Sequence, residues 1–190
     1  MPFHKTEFQG LFVFEPVIYE DSRGYFFESY NQKIFHQQNI DLRFVQDNQS
    51  SSSYGVIRGM HYQLNPHAQT KLVRVLSGTI LDVVIDIRKN FSTYAKVFSI
   101  ELSGENKKQL LIPPGFAHGF SVLSETAEVF YKCDEFYNKE SETGICYNDP
   151  SLKIDWKIPD EKIIVSEKDL QLPLLADCKN NFESTDNLPG

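Results

Sequence analysis

No stretch of this chain carries an apolar repeat of helical period long enough to serve as a crossover helix. That absence narrows the fold more than any other feature of the sequence, because parallel doubly wound sheets need such helices between their strands. The chain offers instead a succession of short apolar or alternating runs separated by turn residues. Leu11 to Tyr19 is an apolar run broken by Pro16, and Asp21-Ser22-Arg23-Gly24 reads as a turn before Tyr25 to Tyr30. Asn31 to Asn39 is a candidate short helix with Ile34 and Phe35 on one side. Phe44 to Asn48 and Val56 to Tyr62 read as strands flanking the polar loop from Gln49 to Gly55. Lys71 to Leu76 and Thr79 to Ile87 form the clearest strand pair, joined at Ser77-Gly78. Further strands fall at Lys96 to Leu102, Gln109 to Ile112, Ala117 to Leu123 and Ala127 to Cys133. The expected fold is all-β, a jelly-roll barrel or sandwich with a few short peripheral helices.

Composition agrees. The 15 Phe and 9 Tyr favour strands, and 41% apolar residues are too many for a disordered chain. A length of 190 residues suits a single core-forming domain, expected over residues 1–175, followed by a polar tail over 176–190. Within the domain's last part, Ser166 with Asp169 three residues on has the pattern of a capping box. The formal charge of -7 argues against a nucleic-acid polymer or an anionic membrane as partner. It leaves open a small anion held by a few local cations. No apolar run approaches a membrane span, and Glu7 and Glu15 interrupt any secretory core near the start. Cys133, Cys146 and Cys178 are odd in number and widely spaced, which fits a reducing cytoplasm.

The informative residues are polar groups embedded in strand-like sequence. His61 lies in RGMHYQ, Lys71 opens KLVRVL, Asp82 and Asp86 punctuate ILDVVIDI, and His118 follows PPGFA. Alternation places Lys71, Val73 and Val75 on one face, and Asp82, Val84 and Asp86 on another. Ionised groups pointing inward from several strands imply a wet cavity rather than a dry core. Asp86 followed by Arg88 reads as a surface or rim ion pair, while His4, His36 and His67 have no comparable context.

Gly55 with His61, followed later by Pro113-Pro114-Gly115-Phe116-Ala117-His118, resembles the two metal motifs of cupins. Metal-binding cupins carry a second histidine two places after the first and a glutamate soon after. Here Gln63 stands in that place and no acid lies between His61 and Lys71. His61 and His118 alone are too few for a stable divalent site, so no metal is expected.

The pieces Glu15 to Tyr30, Arg43 to Gln63, Gln69 to Tyr94, LLIPPGFAHGF, VFYKC, YNDPSLKIDW and VSEKD appear in one order across residues 3 to 175. The ordered series resembles the dTDP-4-dehydrorhamnose 3,5-epimerases. That resemblance implies a cupin-type homodimer working without metal or organic cofactor on dTDP-4-dehydro-6-deoxyglucose, toward dTDP-rhamnose. It implies His61 as general base with Asp169 as its acidic partner, and Tyr131 as general acid from the opposite face. It further implies Lys71 steadying charge on the C4 oxygen and Asp82 as a buried supporting acid. Arg23, Glu28, Gln46, Asn48, Arg58, His118, Glu142 and Lys168 match positions that contact the nucleotide sugar, and Tyr137 matches the aromatic that stacks on thymine.

The residue types suit this chemistry independently. Protons beside a ketone are weakly acidic, and the enolate needs a cation where its oxygen charge develops. A neutral imidazole is a competent base, and a carboxylate fixes its tautomer and stabilises the imidazolium. Inversion requires the proton to return from the other face, which a phenol opposite the imidazole can supply. A diphosphate suits arginine's planar fork. The alternatives are a relative acting at one carbon only, a sugar-nucleotide ketoisomerase, and a non-catalytic sugar-nucleotide-binding barrel. The last would be expected to lack the acid, the base or the lysine.

Overall fold

The computed structural model describes residues 3–183. Two antiparallel sheets carry the molecule. The larger has six strands in the order β1 (Phe3–Lys5), β2 (Phe12–Phe14), β10 (Gln109–Ile112), β7 (Lys71–Ser77), β12 (Thr126–Cys133) and β5 (Gln46–Ser53). The smaller has five, in the order β13 (Glu142–Gly144), β6 (Ile57–Gln63), β11 (Phe116–Val122), β8 (Thr79–Asp86) and β9 (Val97–Ser103). A separate hairpin of β3 (Tyr19–Asp21) and β4 (Gly24–Phe26) pairs with neither sheet. The α-helices among the described residues are α1 (Gln32–His36), capped by Asn31, and α2 (Glu167–Leu170), with short 3-10 turns at Asp160–Lys162 and Leu175–Asp177. Among the described residues no strand is shared between the sheets, so the architecture is a cupin-like sandwich and not a closed barrel.

Strand β8 shows how the layers form. Its side chains from Ile80 to Asp86 are all buried. Ile80 and Val84 face the larger sheet and pack with Val73, Val75 and Val129. Leu81, Val83 and Ile85 face the other way, onto Leu152, Trp156 and Phe182. Period-two alternation thus feeds two separate cores, each full burial of such a side chain contributing roughly 1.5–3 kcal/mol. A third cluster, with Phe12, Phe14, Phe35 and Leu72, covers the outer face of the larger sheet.

Several expectations are corrected. The runs joined at Ser77-Gly78 are not a hairpin, since β7 lies between β10 and β12 while β8 lies between β11 and β9. Gly78 carries the chain from one sheet to the other. Its φ is +79°, and a Cβ there would stand 2.1 Å from the Thr126 carbonyl oxygen. The supposed loop from Gln49 is strand as far as Ser53, paired residue by residue with Thr126 to Phe130. It is an edge strand of small polar side chains, alternately half-buried and exposed, so its backbone pairing leaves no apolar signature.

The pair Asp86 and Arg88 is buried, at 0% and 3% exposure, rather than at a surface or rim. Arg88 Nε and Nη2 donate to the two Asp86 carboxylate oxygens at 2.8 and 2.6 Å, and Thr93 Oγ1 donates to Asp86 at 2.6 Å. The guanidinium lies over the rings of Phe91 and Phe116, so aromatic side chains replace the water an exposed pair would keep. Of the polar segment 176–190, residues 176–183 are described; most of their side chains are exposed, but the stretch is anchored to the domain at several points. Phe182 joins the outer core, Tyr62 Oη donates to the Lys179 carbonyl at 2.5 Å, and Asn181 bonds the Asn65 backbone at both its amide and carbonyl.

Candidate functional site

The inter-sheet space is apolar around Val73, Val84 and Val129, and polar where β6, β7, β11 and β12 bring His61, Lys71, His118 and Tyr131 together. A cavity of about 540 Å³ opens there. It adjoins a smaller chamber of about 190 Å³, and His61, Lys71 and Tyr131 line both.

Local backbone geometry explains how one short strand delivers two cavity residues. In a regular strand Arg58 and His61 would point to opposite faces. Against β11, however, His61 registers with His118 and Arg58 with Phe120, so β6 carries one extra residue. This bulge turns both side chains toward the cavity. Gly59 makes it possible, because φ is +117° there and a Cβ would stand 2.6 Å from Gly119 Cα.

His61 is half-buried, and its Nε2 lies 2.7 Å from Asp169 Oδ1. The other carboxylate oxygen of Asp169 accepts the Gly59 backbone N–H at 3.3 Å. Burial works to raise the Asp169 pKa, but the His61 hydrogen bond and charge, the Gly59 N–H and Ser166 together hold it below the usual carboxylate value. Only half of the expected capping box forms at α2. Ser166 Oγ accepts from the Asp169 N–H at 3.1 Å, while the Asp169 carboxylate turns to β6 instead of back to the cap.

Facing His61 from the larger sheet are Lys71 and Tyr131. Burial lowers the Lys71 pKa, and nearby Cys133, Asp82 and Glu142 oppose that shift. Its ammonium makes no hydrogen bond or ion pair with another described residue and lies 6.0 Å from the centre of the Tyr131 ring. Burial also raises the Tyr131 phenol, which therefore keeps its proton at neutral pH. Beside Lys71, burial pushes the Cys133 thiol up to about 11.

Asp82 is fully buried and lies within 3.0 Å of His118 Nε2 through both carboxylate oxygens. Its histidine partner is thus His118, while Asp169 serves His61. Arg58 and Lys168 line the larger chamber, and Gln46, Asn48, Tyr137 and Glu142 line the smaller. At the rim a single oxygen, Glu142 Oε2, accepts from Tyr137 Oη at 2.8 Å and from Lys168 Nζ at 2.6 Å. Burial tends to raise Glu142, but these two hydrogen bonds bring it net below the usual range.

Two expected residues are not at the cavity. Arg23 sits in the β3–β4 turn, exposed and bound to Asp21, and Glu28 accepts from Asn31 Nδ2. The hairpin pairs with neither sheet, so it does not carry them there within this chain. Conversely, Ser50, Phe120 and Ser166 line the larger chamber although the sequence did not single them out as site residues. Only Ser166 carried any signal, as a helix cap.

The donor set does not favour a metal. Among the described residues no cluster of three or more His, Cys, Asp or Glu side chains has the arrangement to hold one. Gln63, in the place of the second cupin histidine, has its amide committed to backbone groups.

A family model described as dTDP-4-dehydrorhamnose 3,5-epimerase matches residues 5–177. A dTDP-4-dehydrorhamnose 3,5-epimerase of Shigella flexneri is 50% identical over 167 residues, covering 87% of this chain and 91% of the relative. The crystal structure of the corresponding enzyme from Elizabethkingia anophelis NUHP1 superposes with a TM-score of 0.88 at 52% identity, covering 92% of this chain and 96% of that one. That of the dTDP-6-deoxy-D-glucose-3,5-epimerase from Legionella pneumophila Philadelphia 1, in complex with dTDP-4-keto-L-rhamnose, also gives 0.88. Its identity is 46%, with 92% and 93% of the two chains covered.

Proposed function

The chain belongs to the dTDP-4-dehydrorhamnose 3,5-epimerase family, and we propose that His61 and Tyr131, on facing sheets of one cavity, carry out its reaction. That reaction is the 3,5-epimerisation of dTDP-4-dehydro-6-deoxy-D-glucose to dTDP-4-dehydro-L-rhamnose, in dTDP-rhamnose biosynthesis. One observation supports the assignment of roles above the others. An imidazole paired to a carboxylate and a protonated phenol line the same cavity from different sheets, with the ammonium of Lys71 on the phenol's side.

With Nε2 donating to Asp169, His61 Nδ1 keeps a lone pair for the carbon-bound proton next to the C4 ketone. As the C–H bond breaks, its electrons move toward the C4 oxygen. Lys71 stabilises the resulting enolate, its charge strengthened by partial removal from water. Tyr131 then donates its proton to the carbon from the other face, inverting the centre. The imidazolium is stabilised by Asp169 and returns to neutral by losing its proton to solvent, and solvent reprotonates the phenolate. The same cycle at the second carbon completes the double epimerisation.

Arg58 and Lys168 supply positive charge for the diphosphate, and Tyr137 at the rim presents a ring for the base. The outward hairpin suggests a homodimer. It exposes Tyr19, Tyr25 and Phe26 at 63%, 58% and 66%, and a second copy covering it would bring Arg23 and Glu28 to a neighbouring cavity. The three free cysteines support a reducing compartment, for which we infer the cytoplasm. Among the described residues no helix is long and apolar enough to cross a membrane.

Incubation with dTDP-4-dehydro-6-deoxy-D-glucose in deuterated water tests the reading. Deuterium at both C3 and C5 with formation of the double epimer is expected. Incorporation at one carbon would reassign the enzyme to single epimerisation, and incorporation at neither would sink the proton-transfer roles.

A further inference from the structure

The loop between β12 and β13 presents Tyr137 to the smaller chamber, yet it has little apolar burial to hold it. Phe136 and Tyr137 are 62% and 54% exposed. Its backbone is held instead by three glutamine side chains from elsewhere in the chain. Gln69 Nε2 donates to the Glu135 carbonyl at 2.7 Å, and Gln63 Nε2 donates to the Phe136 carbonyl at 3.2 Å. The Tyr137 N–H donates to Gln46 Oε1 at 3.0 Å, and the Asn138 N–H donates to Gln63 Oε1 at 2.7 Å. Four successive loop residues are thereby fixed through one backbone group each.

Gln63 is the centre of this cradle. It is 5% exposed, it makes two of the four loop contacts, and its Nε2 also donates to the His67 carbonyl at 2.6 Å. Its amide therefore ties β6, the turn that follows it and the Tyr137 loop into one unit. Beyond the cradle, Asn138 Oδ1 accepts the N–H groups of Glu140 and Ser141, each at 3.0 Å, turning the chain toward β13. There Glu142 receives the Tyr137 hydroxyl at 2.8 Å. The ring is thus held at its backbone and at its tip.

We propose that Gln63 is a positioning residue for nucleotide recognition: by fixing residues 135–138 it pre-sets Tyr137 to receive the base, and it serves binding rather than proton transfer. This rests on the reading that Tyr137 stacks on the base. It also gives a physical use to the residue that stands where metal-binding cupins have a histidine. Two residues along the same strand, His61 serves the chemistry and Gln63 the grip on the nucleotide.

Gln63→Met keeps the side chain's length and apolar packing while removing every hydrogen bond of its amide. The expected result is a rise of about tenfold in KM for dTDP-4-dehydro-6-deoxy-D-glucose and in Kd for dTDP, with kcat and its pH profile unchanged within about twofold. Tyr137→Ala should raise both constants, and adding Gln63→Met in that background should add less than about twofold, because the two act through one ring. A fall in kcat with KM unchanged would overturn the proposal, as would a full tenfold effect persisting without the Tyr137 ring. If Tyr137→Ala raises KM but Gln63→Met does not, the cradle role alone fails. If Tyr137→Ala leaves KM unchanged, the stacking reading itself fails. Should Gln63→Met not fold, Gln69→Met removes one bond of the same cradle. It should raise KM about threefold with kcat intact, and no change in KM would sink the proposal.

Discussion

His61 Nε2 and Asp169 Oδ1 are 2.7 Å apart although 108 residues separate them in the chain. The contact joins a bulged strand to a helix of four residues, too short to hold its shape by propensity alone. That helix is placed by its surroundings: Ile164 pairs with Gly55 and Ile57 at 2.9 Å each, Ser166 caps the turn, and the Gly59 N–H holds the second carboxylate oxygen. His61 and Asp169 are therefore both referred to the first residues of β6.

Asp169→Asn should lower kcat by roughly 10²–10⁴-fold with KM little changed, since the amide stabilises neither the imidazolium nor the correct tautomer. The same substitution has a pH signature. Asp169 has a depressed pKa in the folded protein, so its ionised form contributes stability that is fully present above the ordinary carboxylate value of 3.8. That contribution is lost as pH falls through the lower folded value. The difference in Tm between wild type and Asp169→Asn should therefore shrink as pH falls below about 4. A difference independent of pH would contradict the assignment.

Tyr131→Phe should separate deprotonation from product formation. The Tyr131 hydroxyl makes no hydrogen bond to another described residue, so its loss should leave Tm unchanged. Product formation should fall by about 10²–10⁴-fold, while solvent deuterium exchange through His61 falls less, because the donor on the far face alone is missing. Equal loss of both rates would place Tyr131 in the deprotonation step.

Lys71→Met should trade activity for stability. A lysine whose pKa is lowered by burial binds its proton more weakly in the folded than in the unfolded chain. It therefore costs stability at neutral pH, and the cost fades as pH rises through the folded value toward the ordinary 10.5. The methionine variant should melt at the same or higher temperature at pH 7, with the difference narrowing in alkali. Its kcat should fall by roughly 10²–10³-fold for want of a cation at the enolate oxygen. A clearly lower Tm at pH 7 would show that the ammonium has a structural partner.

Exhaustive chelation should leave activity unchanged, measured as product formed before and after dialysis against a strong chelator. The donors nearest the cupin pattern are already committed: His61 to Asp169, His118 to Asp82, and Gln63 to loop backbone. Activity lost on chelation and restored by a divalent ion would overturn this.

The polar cavity was legible in the sequence where residue type alone marked it. An imidazole, a lysine and a carboxylate inside strand-like runs announced a polar cavity, and alternation placed Lys71 with Val73 and Val75 correctly on the inner face. Connectivity was less legible. Ser77-Gly78 looks the same whether two strands pair or the chain steps to the facing sheet, because both need a positive φ. The serines of β5 hide an edge strand, since backbone pairing does not require apolar side chains. The bulge that turns both Arg58 and His61 inward depends on a close approach to Gly119, a contact between distant segments. Arg23 and Glu28 show the converse: local resemblance identified them, but the fold of one chain does not bring them to the cavity.

The Asp86–Arg88 pair should prove a larger stability determinant than its sequence position implies. Both side chains are almost wholly buried, and Arg88 also donates from Nη1 to the Gln9 carbonyl at 2.9 Å, tying β8 to the segment before β2. Arg88→Leu would leave the Asp86 carboxylate buried with only Thr93 and the backbone N–H of residue 88 as donors. Removing one partner of a buried pair costs about 3–5 kcal/mol, because the other charge stays uncompensated. Asp86→Asn together with Arg88→Leu should cost less than Arg88→Leu alone, since the stranded charge is gone. Neither residue lines the cavity chambers, so the KM of the folded fraction should be unchanged. Urea denaturation of the single and double variants measures this directly. A loss below about 1 kcal/mol for Arg88→Leu, the range of an exposed pair, would mean that water reaches Asp86 in solution.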